Sequence, residues 1–305
     1  MTRLAITAGA GIGGEVILKA LCDLGPSIAS EVHCYGTIDY WRRSGKRYYD
    51  SLSAWVRFHA VNAGSTGGTG PPAVACLTQA VDAIQAGHAD ALVTGPVAKA
   101  MLQTPGKPGI GHTEWLAAKT GCPEVSMGFW SPDLVIVLAT VHCPLRDVPD
   151  RITPALLNLR LTHALKLCQS LGIQRPRIAI AGLNPHAGES GLIGSDESVI
   201  HTVVQTWQAD TARVAVSGPY PPDTVFRQAA IDKQFDCVLA LYHDQGLIPI
   251  KLLAFESAVN ITIGLPFIRT SPDHGTADDI VFQDKADPRS MIAAIRLASR
   301  LAQSP

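Results

Sequence analysis

The chain has 305 residues, 47% of them hydrophobic and 17% charged, enough apolar chain for a large core in one domain or two lobes. Its formal net charge of -1 argues against a nucleic-acid surface, which normally requires a basic patch. No apolar run approaches the roughly 18 residues of a membrane span, and the N-terminal MTRLAITAGAGIGGE breaks into glycines too early for a signal-peptide core.

A first strand is expected near Arg3–Thr7, leading through a glycine turn into a helix around Glu15–Leu24, with a second strand at Val32–Tyr35. The turn reads Gly9-Ala10-Gly11-Ile12-Gly13-Gly14, a literal G-x-G-x-x-G. A dinucleotide-binding turn would be followed by an acidic residue at the end of the second strand, yet that strand ends Cys34-Tyr35-Gly36-Thr37. A tight strand-to-helix turn lining the site is the better reading. From Asp39 to Gly70 the pattern is hard to read, with Tyr, Trp and Arg clusters and then NAGSTGGTGPP, a mobile loop on composition. A helix follows over Ala73–Ala86 and a buried strand over Ala91–Val93. A short helix is expected over Thr113–Thr120 with Thr113 as its N-cap, and a long amphipathic one over Thr153–Leu171. Another runs over Ser195–Trp207, begun by Ser195-Asp196-Glu197, and the last over about Arg289–Ala302. Alternating strands and helices of this kind predict an α/β fold.

Three apolar runs each end in a histidine: LVIVLATVH at His142, IAIAGLNPH at His186 and CVLALYH at His243. Each reads as a short buried strand handing its imidazole to a loop, and open α/β sheets bind ligands at the carboxyl ends of their strands. The three could converge on one divalent metal. Asp244, beside His243, could move a proton or hold a water, and Glu189, in NPHAGE, could orient an imidazole. Lys251, in GLIPIKLL, reads as a partly buried amine among apolar neighbours. Arg269, in GLPFIRTS, suits carboxylate or phosphate, and Asn260 offers a neutral amide. His112 stands where a helix begins and its amides favour an anion. Seven cysteines without CxxC pairing read as reduced thiols of a cytoplasmic protein. Cys143, next to His142, reads as a small apolar residue near the site rather than a nucleophile.

Together GHTE at 111–114, HCPLRD at 142–147, GLNPHAGE at 182–189, GP-x-P-x-DT at 218–224, YHDQG at 242–246 and VNIT-x-GLPFIRTS-x-DHGTA at 259–277 resemble the 4-hydroxythreonine-4-phosphate dehydrogenase family of vitamin B6 (pyridoxine) biosynthesis. The resemblance covers most of the chain from about residue 90 onward. It implies an isocitrate/isopropylmalate dehydrogenase-like fold, with two intertwined α/β lobes around a central cleft over 1–305, working as a homodimer. It implies His142, His186 and His243 as ligands of a divalent metal (zinc, magnesium, cobalt or manganese), in a site shared across the dimer interface. His112, Thr113, Lys251, Asn260 and Arg269 correspond to substrate-binding positions, and His274 and Gly275 to the NAD or NADP side. Lys251 and Asp244 are the candidates for proton transfer. The implied reaction is oxidation and decarboxylation of 4-phosphohydroxy-L-threonine to 3-amino-2-oxopropyl phosphate. Erythronate or threonate 4-phosphate is an equally physical substrate, and a metal-binding homologue without NAD turnover stays open. Two departures bear on this: the N-terminal turn lacks the family's Asp-Pro pair, and Asp278-Asp279-Ile280-Val281 replaces a glycine-containing loop after HGTA.

Overall fold

The computed structural model describes residues 2–61, 73–102, 111–208 and 214–303. In chain order the elements are β1 Arg3–Thr7, α1 Gly13–Leu24, β2 Glu31–Gly36, α2 Ile38–Leu52, β3 Val56–Ala60, α3 Ala73–Gln85, β4 Ala91–Thr94, α4 His112–Thr120, β5 Ser126–Trp130 and β6 Val135–Leu138. Then come α5 Val148–Arg151, α6 Pro154–Ser170, β7 Arg177–Ala181, α7 Glu197–Gln208, β8 Ala215–Tyr220, α8 Pro222–Ala230, β9 Cys237–Ala240, α9 His243–Ala254, β10 Val259–Ile263, β11 Ile268–Pro272 and α10 Arg289–Leu301. The fold is mixed α/β. It divides into two compact units, one of Met1–Val125 with Glu256–Gln303, the other of Ser126–Phe255.

In the first unit the strand order is β3-β2-β1-β4-β11-β10. All neighbours are parallel except β10, which runs antiparallel to β11. In the second unit the order is β5-β6-β9-β7-β8, with β5 alone antiparallel. Parallel strands covered by helices on both faces read as unbroken apolar runs. Accordingly Leu4–Ile6, Ile136–Leu138, Ile178–Ala181 and Val238–Ala240 are wholly buried.

The segment that resisted the pattern reading holds α2 and β3. Tyr40, Trp41, Ser44 and Leu52 form the buried side of α2, so its apolar stripe is made of residues with polar tips, and the helical run is broken at Gly45. The NAGSTGGTGPP stretch lies outside the described residues. The expected N-cap at Thr113 is corrected to Gly111. Gly111 is extended, its N–H goes to the Glu114 carboxylate at 2.9 Å, and its carbonyl accepts from Trp115 N–H to close the first turn. His243 does not enter a loop; it is the first residue of α9.

The glycine-rich turn after β1 is consumed by the protein itself. Ala10 N–H donates to Pro96 O at 2.6 Å, Ile12 N–H to Thr276 O at 2.9 Å, Gly13 N–H to Ala10 O and Gly14 N–H to the Tyr40 hydroxyl. A pyrophosphate cradle needs such amides unclaimed. Gly11 stands at φ 56°, and a Cβ there would sit 2.0 Å from Thr276 O. Gly11→Ala should therefore lower stability by roughly 2 kcal/mol, from a strained conformation plus a displaced loop. Denaturant unfolding with an unchanged midpoint would show that the contact is not needed.

Candidate functional site

Strands β6, β9 and β7 are adjacent and parallel, with Leu138 opposite Ala240 and Ile180 opposite Leu239. Their carboxyl ends therefore share one edge of the sheet in the second unit. His142 follows the end of β6, His243 follows β9 and His186 follows β7. The rings of His142 and His243 are side by side, with centroids 5.6 Å apart at an interplanar angle of 44°. Both line an open cavity of about 450 Å³ with Cys143, Tyr242 and Asp244.

His186 reaches the same edge by another route. It opens a left-handed turn in which His186, Ala187, Gly188, Glu189 and Ser190 all have positive φ. Such backbone persists only where its surroundings enforce it. The segment that leads into the turn is held by Glu197, 4% exposed, whose carboxylate accepts from Leu183 N–H at 3.0 Å, Asn184 N–H at 2.7 Å and Asn184 Nδ2 at 3.1 Å. Glu189, which the sequence offered either as an orienting partner of an imidazole or as a loop cap, is exposed. Among the described residues no three His, Cys, Asp or Glu side chains stand close enough to hold a metal ion. The pair His142 and His243 is assembled, and His186 stands apart from it at the same edge.

The His243 ring is held by its neighbour: its Nδ1 lies 2.7 Å from Asp244 Oδ1. A carboxylate on Nδ1–H fixes the tautomer and leaves Nε2 with its lone pair for a metal or substrate. The geometry gives Asp244 an orienting contact, whatever it does with protons. The loop that carries His142 is tied down at its start. Thr140 Oγ1 donates to Leu241 O at 2.8 Å, and Arg160 Nε donates to Ala139 O at 3.1 Å. Arg160 Nη1 also donates to Ser126 Oγ at 2.6 Å, and that hydroxyl lies 2.6 Å from His163 Nδ1. Burial, then Arg160 and Lys166, push the His163 imidazole down to about 4. It is neutral at physiological pH and accepts the Ser126 proton.

Lys251 lies on α9, with its Nζ 5.8 Å from the centre of the Phe255 ring. The lysine is half-buried, as its sequence context suggested, although Ile248, Leu252, Leu253 and Phe255 are themselves exposed, Leu252 by 82%.

In the first unit Arg269 is 3% exposed. Its Nη1 donates to Thr262 Oγ1 at 3.0 Å and reaches Asn260 Oδ1 at 3.5 Å, and its Nη2 donates to Thr94 Oγ1 at 2.7 Å. All three partners are neutral, and Nε finds no acceptor among the described residues. Burial lowers this guanidinium to about 10, with Glu114 opposing, so it stays charged at physiological pH. A buried cation with no carboxylate among its hydrogen-bond partners in the described residues is costly until an anion arrives. His112 is lowered well below its ordinary value by burial and then by Arg269, so it stands neutral beside the cation. Thr113 Oγ1 lies 3.5 Å from Thr262 Oγ1, the hydroxyl that also holds Arg269. His112, Thr113, Asn260 and Arg269 thus form one neighbourhood at the start of α4 and along β10 and β11. In the same unit His274 Nδ1 lies 3.0 Å from Gly275 O, while its buried Nε2 has no hydrogen-bond partner among the described residues. A Cβ on Gly275 would meet nothing within 4 Å.

A family model described as "Pyridoxal phosphate biosynthetic protein PdxA" matches residues 42–298. A 4-hydroxythreonine-4-phosphate dehydrogenase of Sulfurihydrogenibium sp. (strain YO3AOP1) is 40% identical, over 98% of this chain and 98% of that protein. The crystal structure of a protein of that name from Klebsiella pneumoniae is 34% identical, covers 99% of this chain and 100% of that one, and superposes with a TM-score of 0.82. Isocitrate dehydrogenase from Methylococcus capsulatus, 14% identical with a TM-score of 0.50 over 96% of this chain and 84% of that one, shares the fold alone.

His163 generates a pH prediction. Its folded value of about 4 lies below the ordinary imidazole value, so protons bind the unfolded chain more tightly. Stability from this group is fully present above about pH 6.5 and is lost as pH falls toward 4, a loss of up to about 3 kcal/mol. His163→Gln should flatten the stability-versus-pH curve in that window. An equally steep curve in the variant would place the acid sensitivity elsewhere.

Proposed function

The chain belongs to the pyridoxal phosphate biosynthetic protein PdxA family, and we propose that it catalyses NAD-dependent, divalent-metal-assisted oxidation and decarboxylation of 4-phosphohydroxy-L-threonine. The product would be 3-amino-2-oxopropyl phosphate. The observation that carries the reading is the delivery of His142, His243 and His186 to the carboxyl ends of three adjacent parallel strands.

His142, His186 and His243 would hold the metal, with Asp244 fixing the His243 ring. Imidazole donors suit several divalent ions, zinc and cobalt among them, without selecting one; His142 and His243 stand side by side and His186 of the same chain stands apart from them, in keeping with a site completed across a dimer interface. When bound, the metal supplies a Lewis acid at the hydroxyl under oxidation and NAD or NADP supplies the hydride acceptor. The chain's own residues do the rest. Arg269 takes an anionic end of the substrate, which relieves its unpaired burial. Neutral His112 adds a hydrogen bond without adding charge, and Thr113 and Asn260 add a hydroxyl and an amide. Lys251 is assigned to the substrate as a second cation and, with Asp244, to proton transfer. Oxidation removes a hydride and the hydroxyl proton; loss of carbon dioxide then leaves a carbon that takes one proton, which Lys251 can provide. His274 and Gly275 are assigned to the nicotinamide cofactor; the unpartnered His274 Nε2 and the open space at Gly275 support the assignment.

A homodimer is supported by the exposed apolar side of α9, where Ile248, Leu252 and Phe255 stand 60%, 82% and 68% exposed. A second copy covering this side would bring its residues beside those that follow His243, in keeping with a shared metal site. All seven cysteines are free, which fits the reducing cytoplasm. No helix among the described residues is long and apolar enough to cross a membrane.

The test is NADH formation by the purified protein with divalent metal and 4-phosphohydroxy-L-threonine, with erythronate and threonate 4-phosphates in parallel. NADH with the first substrate is the expected result. NADH only with a sugar-acid phosphate would change the substrate, and none with any, despite bound metal, would overturn the dehydrogenase reading. His186→Ala should abolish bound metal and turnover with the fold retained. Arg269→Gln should raise KM by about 100-fold, the effect of losing a charge-assisted, bidentate contact. An unchanged KM would remove Arg269 from the substrate site.

A further inference from the structure

We infer that Thr94 and Thr262 are positioning residues that hold the Arg269 guanidinium ready for the anionic end of a ligand; the inference rests on the substrate role proposed above for Arg269. β11, which carries Arg269, lies between β10 and β4. Thr262 stands directly opposite Arg269 on antiparallel β10, and Leu92 stands opposite it on parallel β4. Residues two apart on a strand share a face of the sheet. Thr94 therefore lies on the face that carries Leu92 and Arg269. Each flanking strand delivers one hydroxyl to the guanidinium: Thr262 Oγ1 accepts from Nη1 at 3.0 Å and Thr94 Oγ1 from Nη2 at 2.7 Å.

A planar group gripped at two nitrogens from opposite sides cannot turn about its own stem; gripped at one, it can. Both threonines are buried, so bulk water does not compete for these contacts. Threonine suits the task in two ways. It is branched at Cβ, which restricts χ1 and keeps the hydroxyl from wandering. Its oxygen also accepts a hydrogen bond without bringing a charge, so the cation is aimed and not neutralised. The guanidinium has five N–H donors, and Nε still has no acceptor among the described residues. The grip therefore fixes the group without exhausting it. Valine fills nearly the same volume as threonine and offers no acceptor.

The experiment measures, by calorimetry on the full chain with zinc and without NAD, the affinity for 4-phosphohydroxy-L-threonine and for erythronate 4-phosphate, beside melting curves. Thr94→Val and Thr262→Val should each weaken binding about 10-fold, the scale of one hydrogen bond to a charged group. Thr94→Ser and Thr262→Ser, which restore the hydroxyl, should recover most of that loss. In an Arg269→Met background Thr94→Val should cost nothing further, because residues that act through one another are not additive. The two threonines stand on different strands, so either variant decides the matter should the other fail to fold. Wild-type affinity in both valine variants, with only lower melting temperatures, would make the hydroxyls merely structural and overturn the inference. A 10-fold loss that persists without the arginine would overturn it too, since Thr94 would then act on its own. Arg269→Met with wild-type affinity, or wild-type protein that binds neither compound, would bring down the substrate reading and this inference together, and is recognised before any threonine is changed.

Discussion

What the second unit presents to a ligand hangs on the backbone of one wholly buried residue, Leu241. Its carbonyl accepts from both the N–H and the hydroxyl of Thr140, and its N–H donates to Gln245. Sheet pairing stops at the carboxyl ends of β6, β9 and β7, so the last amides and carbonyls there need other partners, and a buried one left unpaired is costly. Side chains supply those partners. The need to satisfy Leu241 is thus what fixes the starts of the segments carrying His142 and His243. Arg160 on Ala139, the residue after β6, and Glu197 on Leu183 and Asn184, the second and third residues after β7, solve the same problem.

The first unit works by the opposite device. There the essential feature is a debt of charge. Arg269 is held by hydroxyls and an amide that orient the guanidinium without neutralising it, and His112 is kept uncharged beside it. Neutral partners preserve the field that an acidic partner would cancel. The neighbourhood therefore carries the fixed positive charge of Arg269, aimed by neutral acceptors that cancel none of it.

Much of this was legible in the sequence. The parallel strands stood out because burial on both faces makes them continuous apolar runs, and His142, His186 and His243 were visible because each closes such a run. The glycine turn was correctly doubted as a dinucleotide loop for want of an acidic residue after β2. Other parts were not legible. α2 hid because Tyr40 and Trp41 form its buried stripe while also looking like surface aromatics. Thr113 looked like an N-cap, but a glycine with a carboxylate three residues on serves as well. The half-burial of Lys251 was legible from its apolar neighbours, but nothing local says that several of those neighbours face outward. Glu197, Thr140 and Gln245 carry no motif at all: their partners are backbone groups far along the chain, and only the folded topology brings them together. Glu197 had been read as part of a helix start, which it is, while its carboxylate holds the turn before it.

The turn after β1 carries one more consequence. Its amides at Ala10 and Ile12, two residues apart, grip Pro96 O and Thr276 O. The loop that bears His274 and Gly275 is therefore fastened at Thr276 to the same short turn that fastens the end of β4. To swing as a whole, that loop would have to strand the Ile12 amide and open the space that Gly11 closes. Its freedom is confined to the two residues ahead of the fastening, so the turn acts as a latch with a fixed hinge point. The glycine spacing long associated with grasping a ligand is used here to grasp the protein, and it limits motion rather than providing affinity.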